Sequence, residues 1–359
     1  MSCDVVLLAP APLDARTGGY EYDRRMAAGL RARGWRVEVR ELDPSFPRPT
    51  HAARDRAARL LADVADNTTV LIDGLAFGAM PSELTREASR LRFVALIHMP
   101  LADAVGLSAA EAARLEASER LALATARLVV VTGRSTVATM ERYGVERRRI
   151  AVVEPGTDLT PRARGTRRDS PGRHLELLAV GSLTEGKGYE VLIHALARIP
   201  DRAWHLTCAG SLDRDPPAVA RVRAAVRREK LEDRVTLAGE VDGEALAAHY
   251  DAADVFVLAT LRETYGMAVA EALAHGLPIV STRTGAIPEL VGATASRGPA
   301  GLLVPAGDVD AMSAALSQVM SDAGLRASLA DAAWQARESL PAWDDAVHAM
   351  ATTLERVCP

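Results

Sequence analysis

Short apolar runs recur along the first part of the chain, at Val5–Ala9, Val37–Arg40, Val70–Ile72, Phe93–Ile97, Leu128–Val131 and Ile150–Val153. Between them lie longer Ala-, Leu- and Arg-rich segments such as Tyr22–Arg33 and Ala109–Thr125, whose apolar residues fall at helical spacing. Strand alternating with helix predicts a parallel, doubly wound sheet, because parallel neighbours need a long crossover between them. The alternation stops over Pro161–His174, PRARGTRRDSPGRH, where Pro, Gly, Ser and arginines leave nothing to bury. That stretch reads as an interdomain linker whose charge is simply solvated. Strands then resume at Leu175–Val180, His205–Ala209, Val235–Ala238, Val255–Leu258 and Ile279–Ser281, with Ala218–Glu229 helical among them. A terminal helix, Asp344–Val357, follows Pro341.

The pattern therefore predicts an α/β protein of two Rossmann-like domains, 1–160 and 175–341, joined by 161–174, with 342–359 packing back on the first domain. Length agrees, since 359 residues suit two domains of ordinary size and two domains imply a cleft. The net charge of -4 argues against a nucleic-acid binder, which needs a basic face to displace counterions. Cys3, Cys208 and Cys358 are too scattered for a disulfide framework or a zinc site, which points to a reducing compartment. Met1–Ala11 is broken early by Asp4 and reads as a first strand rather than a leader, and no stretch nears the roughly 20 apolar residues of a membrane span. A cytoplasmic location is expected.

In open parallel sheets ligands bind where loops leave the carboxyl ends of the strands. Four such places carry chemistry. In Ala259–Gly276, ATLRETYGMAVAEALAHG, a helix opening near Tyr265 or Gly266 exposes amides around Gly266 and Met267 that suit a phosphate. Glu263 precedes that helix and Glu271 lies about a turn and a half inside it, the one charge among Met267, Ala268, Val269, Ala270, Ala272, Leu273 and Ala274. A buried carboxylate there needs hydrogen bonds, which paired ribose hydroxyls would give. The competing reading makes Glu271 and His275 a thin solvent-facing stripe. The second place is Gly181–Gly188, GSLTEGKG, in which small residues admit an anion and Lys187 adds a charge; alone it is more often a structural turn. The third is Thr17–Gly19, before a helix near Tyr20, and the fourth is His98, at the end of Phe93–Ile97. A single histidine is more often structural than catalytic.

Together these residues resemble the retaining glycosyltransferases of sequence family 4, a group of GT-B fold also called glycosyl transferases group 1. The likeness is strongest in AADVFVLATLRETYGMAVAEALAHGLPIVSTRTGAIPELV, GLLVPAGDVDAM and VGSLTEGKGYEVLIHAL, and extends to TGGYEYDRRMAAGLRARGWRV and RRIAVVEPGTD. The resemblance implies a first domain for the acceptor, a second for the nucleotide sugar, and the two facing each other across a cleft that closes to exclude water. It implies that Glu271 holds the donor ribose and Glu263 faces the hexose hydroxyls. Gly266 and Met267, with neighbouring Thr264 and Tyr265, line the sugar and phosphate; Lys187 pairs with the diphosphate beside Gly181 and Ser182; Gly18 and Gly19 close on it. His98 lies beside the transferred sugar, so His98, Lys187 and Glu263 form the implied catalytic set. Two departures stand out. Ser182 occupies a position where the family often has arginine, for which Arg262 could substitute, and the family's paired glycines of the next loop become Gly285 and Ala286.

The resulting expectation is transfer of a hexosyl group, with retention, from a UDP-sugar to a hydroxyl of a small-molecule acceptor. No metal or cofactor is expected beyond that substrate, and a homodimer is compatible with it. The acceptor loops are expected at Asp43–His51 and Asp73–Pro81, which carry no recognisable chemistry. A sugar-nucleotide 2-epimerase would need an acid and base pair that is not apparent, and a non-catalytic sugar-nucleotide binder is an alternative raised by Ser182. A nicotinamide dehydrogenase fits poorly, because the first strand leads into APAPLDARTGG rather than GxGxxG.

Overall fold

The computed structural model describes residues 4–166, 174–200, 203–292 and 298–358. Cys3, residues 167–173 of the basic stretch, and 293–297 lie outside the described residues. The chain divides into two compact units, 1–156 with 341–359, and 157–340.

The first unit holds six parallel strands: β1 (Asp4–Pro10), β2 (Arg36–Leu42), β3 (Thr69–Asp73), β4 (Arg92–Ile97), β5 (Leu128–Val131) and β6 (Ile150–Val152), in the order β2-β1-β3-β4-β5-β6. The central strands are apolar on both faces because both are covered; LVVV in β5 is fully buried. One face packs on Phe77, Met80, Leu84 and Leu123, the other on Tyr22, Met26 and Leu30 of helix Gly18–Ala32. The C-terminal helix Trp343–Glu355 joins that second layer, with Val347 so close to Gly29 that a Cβ on the glycine would overlap it.

In the second unit β7 (Leu175–Val180), β8 (Trp204–Ala209), β9 (Val235–Gly239), β10 (Val255–Leu258), β11 (Ile279–Thr282) and β12 (Gly301–Val304) run parallel in the order β12-β11-β10-β7-β8-β9. The strand β12 is an addition to the five expected; it lies at the sheet edge, where Leu302 and Leu303 are only half-buried. Both orders reverse direction once, between β1 and β3 and between β7 and β10. Loops diverge at such reversals and leave a crevice beyond the strand ends.

The linker expected over 161–174 is corrected over its described part. Arg162 pairs with Asp331, Arg164 with Asp251, and the Ala163 amide donates to the His275 carbonyl at 2.9 Å, so 161–166 is strapped to the second unit. Arginine in this stretch found carboxylates on its own unit, which composition alone does not reveal.

Candidate active site

In the second unit two loops leave the sheet at its reversal point, one after β7 and one after β10, and they are stitched together. The Leu261 amide donates to the Gly186 carbonyl at 2.7 Å, and the Thr260 hydroxyl donates to the same carbonyl at 3.1 Å. Gly188 sits at φ +64° against the Ala259 carbonyl, where any Cβ would collide. This close approach is what the glycine supplies. The seam places Lys187 Nζ 2.6 Å from Oε2 of Glu263, the two side chains being 28% and 16% exposed. The lysine was expected on a diphosphate and the glutamate on a hexose; here they satisfy each other. An ammonium has three donors, so Lys187 can keep this bond while meeting an anion.

Helix Met267–Ala274 begins just beyond. Its cap residue, Gly266, has φ +98°, and no side chain caps the end. Amides of a first helical turn point outward and carry partial positive charge, the arrangement that receives a phosphate. A Cβ on Gly266 would lie 3.6 Å from Cγ of Glu263, which places that carboxylate at the helix mouth. Gly285, at φ +55°, lies against the Glu263 backbone so tightly that a side chain would overlap it, while the Ala286 amide donates to the Thr264 carbonyl at 3.0 Å. The second glycine of the expected pair is therefore dispensable, and the first is not.

Inside the helix Val269, Ala270, Ala272, Leu273 and Ala274 are buried and Glu271 is half-buried. Its Oε2 accepts a 2.9 Å hydrogen bond from the hydroxyl of Tyr250, a residue 2% exposed. His275 is buried and stacks on the Tyr250 ring at 4.7 Å and 8°. Burial first of all holds the His275 pKa below its ordinary value. The solvent-facing stripe of Glu271 and His275 does not exist. Ser182 and Thr264 are half-buried, Tyr265 is buried, and Arg262 is exposed on the loop.

In the first unit Gly18 and Gly19 open helix Gly18–Ala32, capped by Thr17, whose hydroxyl accepts from the Tyr20 amide at 3.3 Å. His98 follows β4 and approaches Gly19: a Cβ there would lie 3.3 Å from the ring. Its Nε2 is 3.0 Å from Oδ1 of Asp23 and 3.5 Å from Oδ2 of Asp73. Asp73–Pro81, expected to be a loop without chemistry, instead starts with this buried carboxylate and forms a helix, Gly74–Phe77. Among the described residues, Asp23, Asp73 and His98 are the trio whose ligand atoms lie within 4.8 Å of one another. A divalent cation could use that donor set, yet the contact to Asp23 is already a hydrogen bond and needs none.

Residues 174–322 match the family model described as glycosyl transferases group 1. The match lies within the second unit. A D-inositol 3-phosphate glycosyltransferase of Xylanimonas cellulosilytica is 31% identical over 249 residues, covering 66% of this chain and 58% of that protein. The chain spans about half the length of the curated relatives it matches. Sucrose-phosphate synthase from Thermosynechococcus elongatus superposes with a TM-score of 0.82 at 20% identity over 99% of both chains. The Anabaena protein HepE in complex with UDP-glucose gives 0.75 at 17% identity, over 98% of this chain and 99% of that one. These likenesses show the fold, two doubly wound units of GT-B type.

The second unit gathers Gly181, Ser182, Lys187, Arg262, Glu263, Thr264, Tyr265, Gly266, Met267 and Glu271 around the reversal of its sheet. Gly18, Gly19 and His98 come together separately in the first unit. Three residues escaped the sequence reading. Asp73 ends the apolar strand TVLID, where a carboxylate at a strand terminus is a usable signal. Asp23 and Tyr250 carry none, because each sits on a helix among residues of mixed character.

Proposed function

We propose that this chain is a retaining glycosyltransferase that moves a hexosyl group from a UDP-sugar to a hydroxyl of a small-molecule acceptor. The observation that carries the reading is the junction of Lys187, Glu263 and the uncapped helix at Gly266, at the point where the sheet order reverses. Lys187 and the first-turn amides of the helix would stabilise the diphosphate as it leaves, a preorganised use of charge that costs no rearrangement during reaction. Glu271, fixed by Tyr250, would hold the ribose hydroxyls, and Glu263 the hexose. The acceptor hydroxyl would attack from the side of the departing diphosphate, whose oxygen takes the proton, so that no carboxylate nucleophile is required. The bound UDP-glucose of HepE, a protein of the same fold, favours a uridine donor.

A thermal-shift panel of sugar nucleotides, followed by product analysis with cell extract as acceptor, tests this. UDP-glucose or UDP-N-acetylglucosamine is expected to raise Tm, and the product to keep the donor's anomeric configuration in the presence of chelator. An inverted product, epimer formation without acceptor, or binding with neither transfer nor hydrolysis would each overturn it.

A further inference from the structure

His98 is held more elaborately than a ring in van der Waals contact with a sugar would require. Two carboxylates from separate elements, Asp23 of helix Gly18–Ala32 and Asp73 of β3, converge on one nitrogen, Nε2. They are 0% and 1% exposed. A carboxylate oxygen accepts, so the proton of the ring resides on Nε2. Asp73 cannot swing away, because its Oδ1 accepts from the Leu75 amide at 2.8 Å. Tyr22 meets the ring edge-on at 5.3 Å and 81°, and Gly19 closes on its Cδ2 edge. Oδ2 of Asp23 is buried without a hydrogen-bond partner. Such an oxygen costs free energy, and folds retain costs of this kind mainly at functional places.

We propose that Asp23 and Asp73 are positioning residues that lock the His98 ring with its proton on Nε2 and leave Nδ1 as the ring nitrogen open to substrate. The inference rests on the glycosyltransferase reading above. Burial opposes charge on the ring, but the charge and hydrogen bond of Asp23, and then the charge of Asp73, outweigh it and raise the His98 pKa. Asp73 itself is pushed up to about 7, by burial first and by Asp23 second. The titratable groups that face the ring are thus Asp23 and Tyr22 from the first helix and Asp73 from β3, with the Tyr22 phenol driven well above its ordinary range by burial. As a neutral ring His98 would accept from a substrate hydroxyl at Nδ1; as a cation it would donate there.

Asp23→Asn keeps the shape and an acceptor for Nε2–H while removing the charge. In the full chain carrying 15N-labelled histidine, wild-type His98 is expected to be protonated on Nε2, with a titration midpoint that falls in D23N. With UDP-glucose and water as acceptor, UDP release is expected to lose about tenfold to a hundredfold in kcat in D23N and D73N, with KM within twofold. In an H98A background, D23N is expected to cost nothing further, which separates positioning from a general loss of structure. A wild-type ring protonated on Nδ1, an unchanged midpoint in D23N, or full turnover in D23N beside a crippled H98A, overturns the inference and leaves the glycosyltransferase reading intact. Absence of UDP release by the wild type counts instead against that reading, and the spectrum still decides the tautomer.

Discussion

The hydroxyl of Tyr250 donates to Oε2 of Glu271 at 2.9 Å, with the tyrosine ring held flat against His275. One buried phenol therefore fixes how the carboxylate turns about its last bond. Burial first, and the Glu271 charge second, keep that phenol protonated and able to donate. Tyr250→Phe retains the stack and removes the bond to Glu271, together with the longer 3.4 Å contact to the Ala268 carbonyl. The Kd for UDP is expected to rise about tenfold by calorimetry, in line with about 1.5 kcal/mol for a hydrogen bond to a charged partner. An unchanged Kd would show that the bond has no part in holding the ribose.

Glu271→Ala and Lys187→Ala are expected to impair donor use more than folding. The first should raise the donor KM; the second should lower kcat by about a hundredfold, the scale of removing one preorganised donor from a developing negative charge. Steady-state kinetics beside circular dichroism checks both. Intact activity in the two variants would remove the assignment.

Gly285→Ala introduces a Cβ against the Glu263 backbone at a φ of +55°. Gly34 also has a positive φ, +84°, but open space around it. Gly34→Ala should cost about 1 kcal/mol in urea unfolding, from strain alone, with activity kept. Gly285→Ala should cost more and lose most of its activity, because the Glu263 loop must move. Equal losses in the pair would mean that Gly285 does no more than tolerate its φ.

Glu119 is 0% exposed, accepts from the Leu101 amide at 3.0 Å, and is pushed up to about 8, mainly by burial. A carboxylate whose native pKa lies above its unfolded value of 4.5 favours the native state fully below pH 4.5. That advantage is lost as pH rises toward 8, by about 1.4 kcal/mol per unit across the window. Glu119→Gln keeps an acceptor for Leu101 and has nothing to ionise. Its unfolding free energy is expected to overtake that of the wild type as pH goes from 5 to 8; parallel pH curves would contradict this.

The sheets were readable because parallel strands buried on both faces spell continuous apolar runs, as in LVVV of β5 and VFVL of β10. The loops proposed to hold the donor stood out in the sequence because phosphate binding needs small residues and free amides close together in sequence. The pairing of Lys187 with Glu263 was not, because it joins residues 76 positions apart through a backbone seam that no local pattern records. Asp23, Asp73 and His98 likewise meet only once three elements are folded, and Tyr250 reaches Glu271 across the interval between two helices.

Because Gly186 accepts from both Leu261 and Thr260, the segments after β7 and β10 behave as one part. Exchanging either segment alone with that of a relative would leave its partner's donors facing the wrong carbonyl. Attempts to change what this site accepts should therefore transplant the two stretches as a single cassette.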